Sequence, residues 1–244
     1  MASHRARWPS VGAGRSGEAV ITEYVEVARA ESERGELVLR RRVEERAADV
    51  LELRVNGVFV MDSHETTSET ELAAVALGLV DDPRDVVVAG LGLGYTTQRV
   101  LADPRVEQVK VVEIEESLVG WMRDGTIPHG PGLLADKRVH IVNADIVMAV
   151  AEASSTYDLV LLDVDNGPGY LVHDTNSGVY EHDFLVSTHR ILNTGGALVV
   201  WSAAPAPGLV ATMEQVFGNC TEHRYDVQLQ EREEQYLLYL SRRH

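Results

Sequence analysis

Apolar and polar positions follow two different rhythms along this chain, and the change falls at Pro83. Across residues 21–61 the rhythm is strand-like. Val25 and Val27 come first, then Leu37-Val38-Leu39, then the strict alternation Val50-Leu51-Glu52-Leu53-Arg54-Val55. Breaks fall at Arg34-Gly35 and Asn56-Gly57, and Asn-Gly is the strongest short hairpin signal because both residues tolerate positive φ. This predicts a small antiparallel β-appendage. Residues 70–80 then read as a helix stopped by Asp81-Asp82-Pro83. Beyond Pro83, short apolar runs alternate with helical stretches: 86–89 then 95–101, 109–112 then 115–123, 139–142 then 146–153, 159–162 then 180–192, and 197–201 before a helix after Pro207. Continuous apolar strands separated by helices predict a parallel sheet covered on both faces. Two last strands, 225–229 and 236–241, are joined by a charged link too short for a crossover helix, so they pair antiparallel.

Five parallel strands followed by a hairpin is the order expected of a class I S-adenosylmethionine-methyltransferase fold, a Rossmann-like α/β arrangement. The expected division is a flexible leader over 1–20, which lacks periodicity, the β-appendage over 21–62 and a nucleotide-binding catalytic domain over 63–244. Composition narrows the setting. No apolar run approaches the roughly 20 residues that a membrane helix needs, so a soluble protein without membrane contact is expected. Cys220 is the single cysteine, which rules out an intrachain disulfide and fits a reducing, cytoplasmic location. A net charge of −16 repels phosphate backbones, and Arg40-Arg41-Arg42 is followed directly by Glu44-Glu45, so no nucleic-acid partner is expected. The acidic balance instead suits cationic ligands. Strand edges left by the appendage make a homodimer the expected assembly.

The candidate chemistry gathers where strands end. Gly90, Gly92 and Gly94 follow the first parallel strand, and glycines there let the backbone turn tightly and approach a ligand. Glu113 closes the second strand, where a carboxylate accepts ribose hydroxyls, with Ile114 beside it. Asp145 follows the third strand, placed either to accept from an adenine amino group or to cap the next helix, and Ile146 would pack on the ring. Thr97 stands where a dinucleotide-binding motif has its third glycine. Asp163, opening the loop after the fourth strand, fits a transferase better than a dehydrogenase.

These residues together resemble the spermidine synthase (polyamine aminopropyltransferase) family over most of the chain. Val55-Asn56-Gly57-Val58-Phe59-Val60 resembles its Leu-Asp-Gly hairpin, and Val111-Val112-Glu113-Ile114-Glu115 its ribose-binding strand end. Tyr157-Asp158-Leu159-Val160-Leu161-Leu162-Asp163 resembles the strand that carries its catalytic aspartate. The resemblance implies that Asp163 handles the acceptor's proton and that Gly90, Gly92, Gly94, Glu113, Ile114, Asp145, Ile146 and Asp163 hold the cofactor. Asp165, Asn166, Tyr170 and Tyr180 would contact the acceptor, joined by His64 and Glu65, which follow the hairpin. No metal site is expected. Four places depart from the family pattern: Leu93 for an Asp in the glycine loop, Ser68-Glu69-Thr70 for a Tyr-His-Glu cluster, Trp201 for a Gln, and the gate loop Asp163-Val164-Asp165-Asn166-Gly167-Pro168, which keeps two aspartates but not their usual spacing of three. A Leu cannot anchor the free amine of decarboxylated S-adenosylmethionine, and a buried ammonium without a partner is costly. The expected reaction is therefore methyl transfer from S-adenosylmethionine to a small amine-bearing acceptor. Aminopropyl transfer from decarboxylated S-adenosylmethionine is the alternative, and a catalytically silent nucleotide-binding protein the third reading.

Overall fold

The computed structural model describes residues 7–13, 19–43, 47–164, 167–168, 174–229 and 232–244. The chain forms two compact units, Met1–Glu65 and Thr66–His244.

The first unit is a five-stranded antiparallel sheet in sequence order, β1 (Arg7–Ala13), β2 (Ala19–Ser32), β3 (Gly35–Val43), β4 (Val50–Val55) and β5 (Val58–Asp62). The Asn56-Gly57 turn has both residues at positive φ, 51° and 76°, as a two-residue hairpin requires. Asn56 also ties this turn to the preceding one, accepting from Glu36 N (2.9 Å) and donating to Arg34 O (3.1 Å). The segment expected as a leader differs: Arg7–Ala13 pairs along β2, Arg7 opposite Val25 and Ala13 opposite Ala19. Pro9 and Gly12 break its apolar alternation, and Pro is tolerated there because β1 is an edge strand. The arginine run is consumed internally. Arg40 donates to the wholly buried Glu52 (2.9 Å) and lies over the Tyr24 ring, Arg41 pairs with Asp49 and Arg42 with Asp62.

The second unit holds a seven-stranded sheet in the order β11-β12-β10-β9-β6-β7-β8. Its parallel strands are β6 (Asp85–Ala89), β7 (Gln108–Glu113), β8 (Val139–Asn143), β9 (Tyr157–Leu162) and β10 (Leu192–Ser202). The hairpin of β11 (Thr221–Leu229) and β12 (Arg232–Arg242) adds antiparallel, with β12 against β10. This is the expected α/β class, a parallel sheet ending in an antiparallel hairpin. The helices are α1 (Thr67–Leu79), α2 (Tyr95–Leu101), α3 (Glu116–Asp124), α4 (Gly130–Leu134), α5 (Ile146–Glu152), α6 (His182–Ile191) and α7 (Pro207–Phe217). The stretch read as one helix over 180–192 is split: a 3₁₀ segment, Asp174–Tyr180, precedes α6, with Glu181 extended between them.

Alternation along the central strands builds both faces. Ala89, Leu162, Leu198, Val200 and Tyr239 form one core with Phe184 and Leu185 of α6 and Met213 of α7. On the opposite face α1 packs against β10 and β9, burying Leu72, Ala73 and Ala76 completely. At the N-terminal edge Asp158 acts as a staple. Its carboxylate accepts Arg84 N and Asp85 N (both 2.9 Å) and Asn193 Nδ2 (2.7 Å), joining the starts of β6, β9 and β10. Among the described residues no helix is long and apolar enough to cross a membrane.

Candidate active site

The strands β6, β7, β8 and β9 run parallel, so their C-terminal ends deliver Gly90, Glu113, Asp145 and Asp163 to one edge of the sheet. The loop after β6 is built around positive φ: 95° at Gly90, 50° at Gly92 and 88° at Gly94. Gly90 N donates to Val112 O (2.9 Å), and a Cβ on Gly90 would lie 2.1 Å from the Asp163 carbonyl oxygen. A glycine there lets the loop press onto the end of β9.

Glu113 fastens the other side of the loop. Its Oε2 accepts Leu91 N (2.8 Å) and its Oε1 accepts Glu115 N (2.7 Å). Burial raises its carboxyl above the usual range, and the two amide donors oppose that shift. Each oxygen keeps lone-pair capacity for a further donor, so the residue suits a ribose while already shaping the loop. Asp145 caps α5, with Oδ1 accepting Val147 N (2.8 Å), and Ile146 beside it is buried. The capping reading of Asp145 is therefore realised, without using its second oxygen. Ile114 is half-buried, its carbonyl accepting Asn143 Nδ2 (3.2 Å).

Asp163 stays in the ladder through its amide, donated to Ala89 O (2.9 Å), and its Oδ2 accepts Thr96 Oγ1 (2.6 Å) from the first turn of α2. Burial pushes its carboxyl up to about 6, against the Thr96 bond, which lowers it. Tyr180 is buried, and its hydroxyl donates to Val164 O (2.9 Å), so this side chain props the chain just after Asp163. The contact with the acceptor expected of Tyr180 would thus be made by a side chain whose hydroxyl is already engaged. His64 and Glu65 belong to the first unit, where both backbone amides donate to Asp62 Oδ1 (2.9 Å each) and shape a turn. Asp165, Asn166 and Tyr170 lie outside the described residues.

Two residues that contact the candidate site escaped sequence reasoning. One is Thr96, which holds Asp163. The other is His129, whose Nε2 meets Leu93 O at 2.5 Å and whose ring packs on Tyr95 with centroids 5.3 Å apart. A carbonyl can only accept, so Nε2 carries the proton and His129 clamps the glycine loop from the α3–α4 connection. His129→Ala is expected to raise the KM for the nucleotide donor about fivefold, one net hydrogen bond, with kcat nearly unchanged. Initial rates at varied donor concentration check this. A fall in kcat at constant KM would remove the clamping role.

The strand order, with the glycine loop, Glu113 and Asp163 at the C-terminal ends of parallel strands, defines a Rossmann-like fold of the class I type. The chain belongs to the spermine/spermidine synthase domain family, whose pattern it matches over residues 65–220. The polyamine aminopropyltransferase of Saccharolobus islandicus (strain L.S.2.15 / Lassen #1) is 28% identical over 130 residues, 53% of this chain and 42% of that protein. Polyamine aminopropyltransferase 2 of Pseudomonas aeruginosa is 27% identical over 177 residues, 68% of this chain and 49% of that protein. The chain thus spans about half the length of the relatives it matches. A crystal structure of spermidine synthase in complex with the transition state analogue AdoDATO superposes with a TM-score of 0.77 at 15% identity, covering 93% of this chain and 77% of that one.

These likenesses overturn the expectation of methyl transfer. Both relatives carry the aminopropyltransferase name, and the family is that of spermine and spermidine synthases. The side chain of Leu93 is completely buried in the glycine loop, and the family match, rather than this one residue, decides the reaction class.

Proposed function

We propose that this chain transfers an aminopropyl group from decarboxylated S-adenosylmethionine to an amine acceptor. The observation that carries the reading is Asp163, a half-buried carboxylate held by Thr96 beside the glycine loop, in a chain of this family. Glycines 90, 92 and 94 would take the donor's chain, Glu113 its ribose, and Asp145 with Ile146 its adenine. When bound, the donor supplies a sulfonium-bound carbon open to displacement.

What remains for the protein is to align the acceptor and manage its proton. A free amine with a reference pKa of about 10.4 arrives protonated at neutral pH. Asp163 pairs with that ammonium and takes one proton as the nitrogen lone pair bonds to the carbon. As that bond forms the carbon–sulfur bond breaks, its electron pair returning to sulfur to leave a neutral thioether nucleoside. Proton transfer to a carboxyl of about 6 is uphill by about four pKa units, near 6 kcal/mol. At an ordinary carboxyl it would cost about two units more, so the burial of Asp163 contributes directly to making it a usable base. A cytoplasmic homodimer belongs to the same proposal, supported by the single cysteine and by the two edge strands, β1 and β5, of the first unit's sheet.

The test is to incubate purified protein with decarboxylated S-adenosylmethionine and a panel of amines, following products by mass spectrometry. Aminopropylated amine with stoichiometric thioether nucleoside is the expected result. Nucleoside binding with no product on any amine, or methylated amine from S-adenosylmethionine, would overturn the reading.

A further inference from the structure

Trp201 lies near the end of β10, beside the strand that carries Asp163. In the parallel register Val200 stands opposite Leu162, so Trp201 and Asp163 are the next residues out on neighbouring strands. Both strands are still in their ladders there, since Trp201 pairs with Leu238 and Asp163 N reaches Ala89 O. Val200 and Leu162 point into the core under α6 and α7, so alternation sends Trp201 and Asp163 to the other face. The Thr96–Asp163 bond from α2 agrees with that assignment. Trp201 as a whole is 9% exposed, and its indole is braced by Tyr236, edge to face with centroids 5.2 Å apart.

The ring is thus held firmly, yet its buried Nε1–H has no acceptor among the described residues. Packing alone does not call for such a group, because a phenyl ring would fill space without burying an unpaired donor. An indole N–H only donates, so it cannot take up an ammonium. It needs an oxygen or a similar acceptor.

We propose that Trp201 is a specificity-determining residue whose N–H binds a hydrogen-bond-accepting oxygen on the acceptor substrate, a hydroxyl or carboxylate borne by the same molecule as the attacking amine. Trp201 and Asp163 stand on neighbouring strands, so the amine and the oxygen belong to one small molecule. The inference rests on the aminopropyl-transfer reading and refines its acceptor: an oxygenated amine is preferred to the bare diamine of equal length.

The experiment compares kcat/KM for aminopropanol and aminobutanol, and for γ-aminobutyrate, against diaminopropane and diaminobutane, in the native protein and in Trp201→Phe. The native protein is expected to favour an oxygenated amine about tenfold, the worth of one well-made hydrogen bond, and Trp201→Phe to lose that preference while still turning over diamines. Whether alcohol or carboxylate leads separates the two oxygen sources. Equal use of bare diamines by the native protein, or a preference unchanged in Trp201→Phe, overturns the proposal. A second measurement needs no variant. The chain has three tryptophans, so the Trp201 indole N–H is resolvable by nitrogen-edited NMR on protein saturated with the thioether nucleoside. A downfield shift with the amino alcohol or amino acid, but not with the diamine, is expected. An unmoved resonance counts against the assignment. If no amine is consumed, the transfer reading fails, while the NMR titration still decides whether Trp201 meets an oxygen.

Discussion

Asp163→Asn is expected to lower turnover by about 10²–10⁴, the usual cost of a lost acid–base group, while donor affinity stays within a few-fold. Asn keeps an oxygen for the Thr96 hydroxyl, so the local bond survives while the proton acceptor is lost. Steady-state rates and calorimetric titration with the thioether nucleoside separate the two effects, and unchanged turnover would take Asp163 out of the mechanism. In the native protein activity should fall as pH drops through about 6, where the carboxyl becomes protonated, and this limb should vanish from the residual rate of the variant. The same substitution is expected to stabilise. The folded carboxyl binds its proton more tightly than the unfolded one, at about 6 against an ordinary 3.8. Stability therefore declines as pH rises from about 4 to 6 and stays at the lower level above that. Asp163→Asn should gain about 1–2 kcal/mol at pH 8, after allowing for partial exposure, and nothing near pH 4. Urea melts at the two pH values test the sign.

Gly90→Ala should be the most damaging single methyl group in the nucleotide loop. At φ 95° an L-residue is strained, and the added carbon would sit 2.1 Å from a backbone oxygen, that of Asp163, which cannot rotate away. A loss above about 3 kcal/mol and abolished donor binding are expected. Gly57 is the natural control: its φ is 76°, but a Cβ there meets nothing within 4 Å. Gly57→Ala should cost only the conformational part, about 1 kcal/mol. If denaturant midpoints show equal losses for the two variants, close approach is not what Gly90 provides. Gly94→Ala falls between them, because the atoms in its way, Leu133 Cδ2 and Met122 Cε, are ends of flexible side chains.

The sheet was legible because each central strand is apolar on both faces, which leaves short unbroken runs between helical stretches. Val86 to Ala89 and Leu159 to Leu162 are such runs, and both are almost entirely buried. Strand β1 was not legible, since Pro9 and Gly12 erase the alternation and an edge strand needs only one partner. The site was legible where a residue's place follows from being last on a parallel strand, as for Glu113 and Asp163. It was opaque where partners are brought together by packing alone: Thr96 lies 67 residues from Asp163, and His129 lies 36 from Leu93. The weight of Leu93 was hard to judge for a related reason. Its identity was plain, but whether its side chain faces a ligand or the core depends on loop geometry that no local pattern encodes.

The carboxylate of Asp158 has a bearing on how such a protein can change over time. It bolts three strands together at the edge of the sheet opposite the one that carries Gly90, Glu113 and Asp163. Two aspartates on one strand thus divide the labour, Asp158 anchoring the scaffold and Asp163 standing at the open rim. Changes in the loops at that rim leave these three bonds of the frame untouched. Innovation at one end of β9 is mechanically insulated by the fixture at the other.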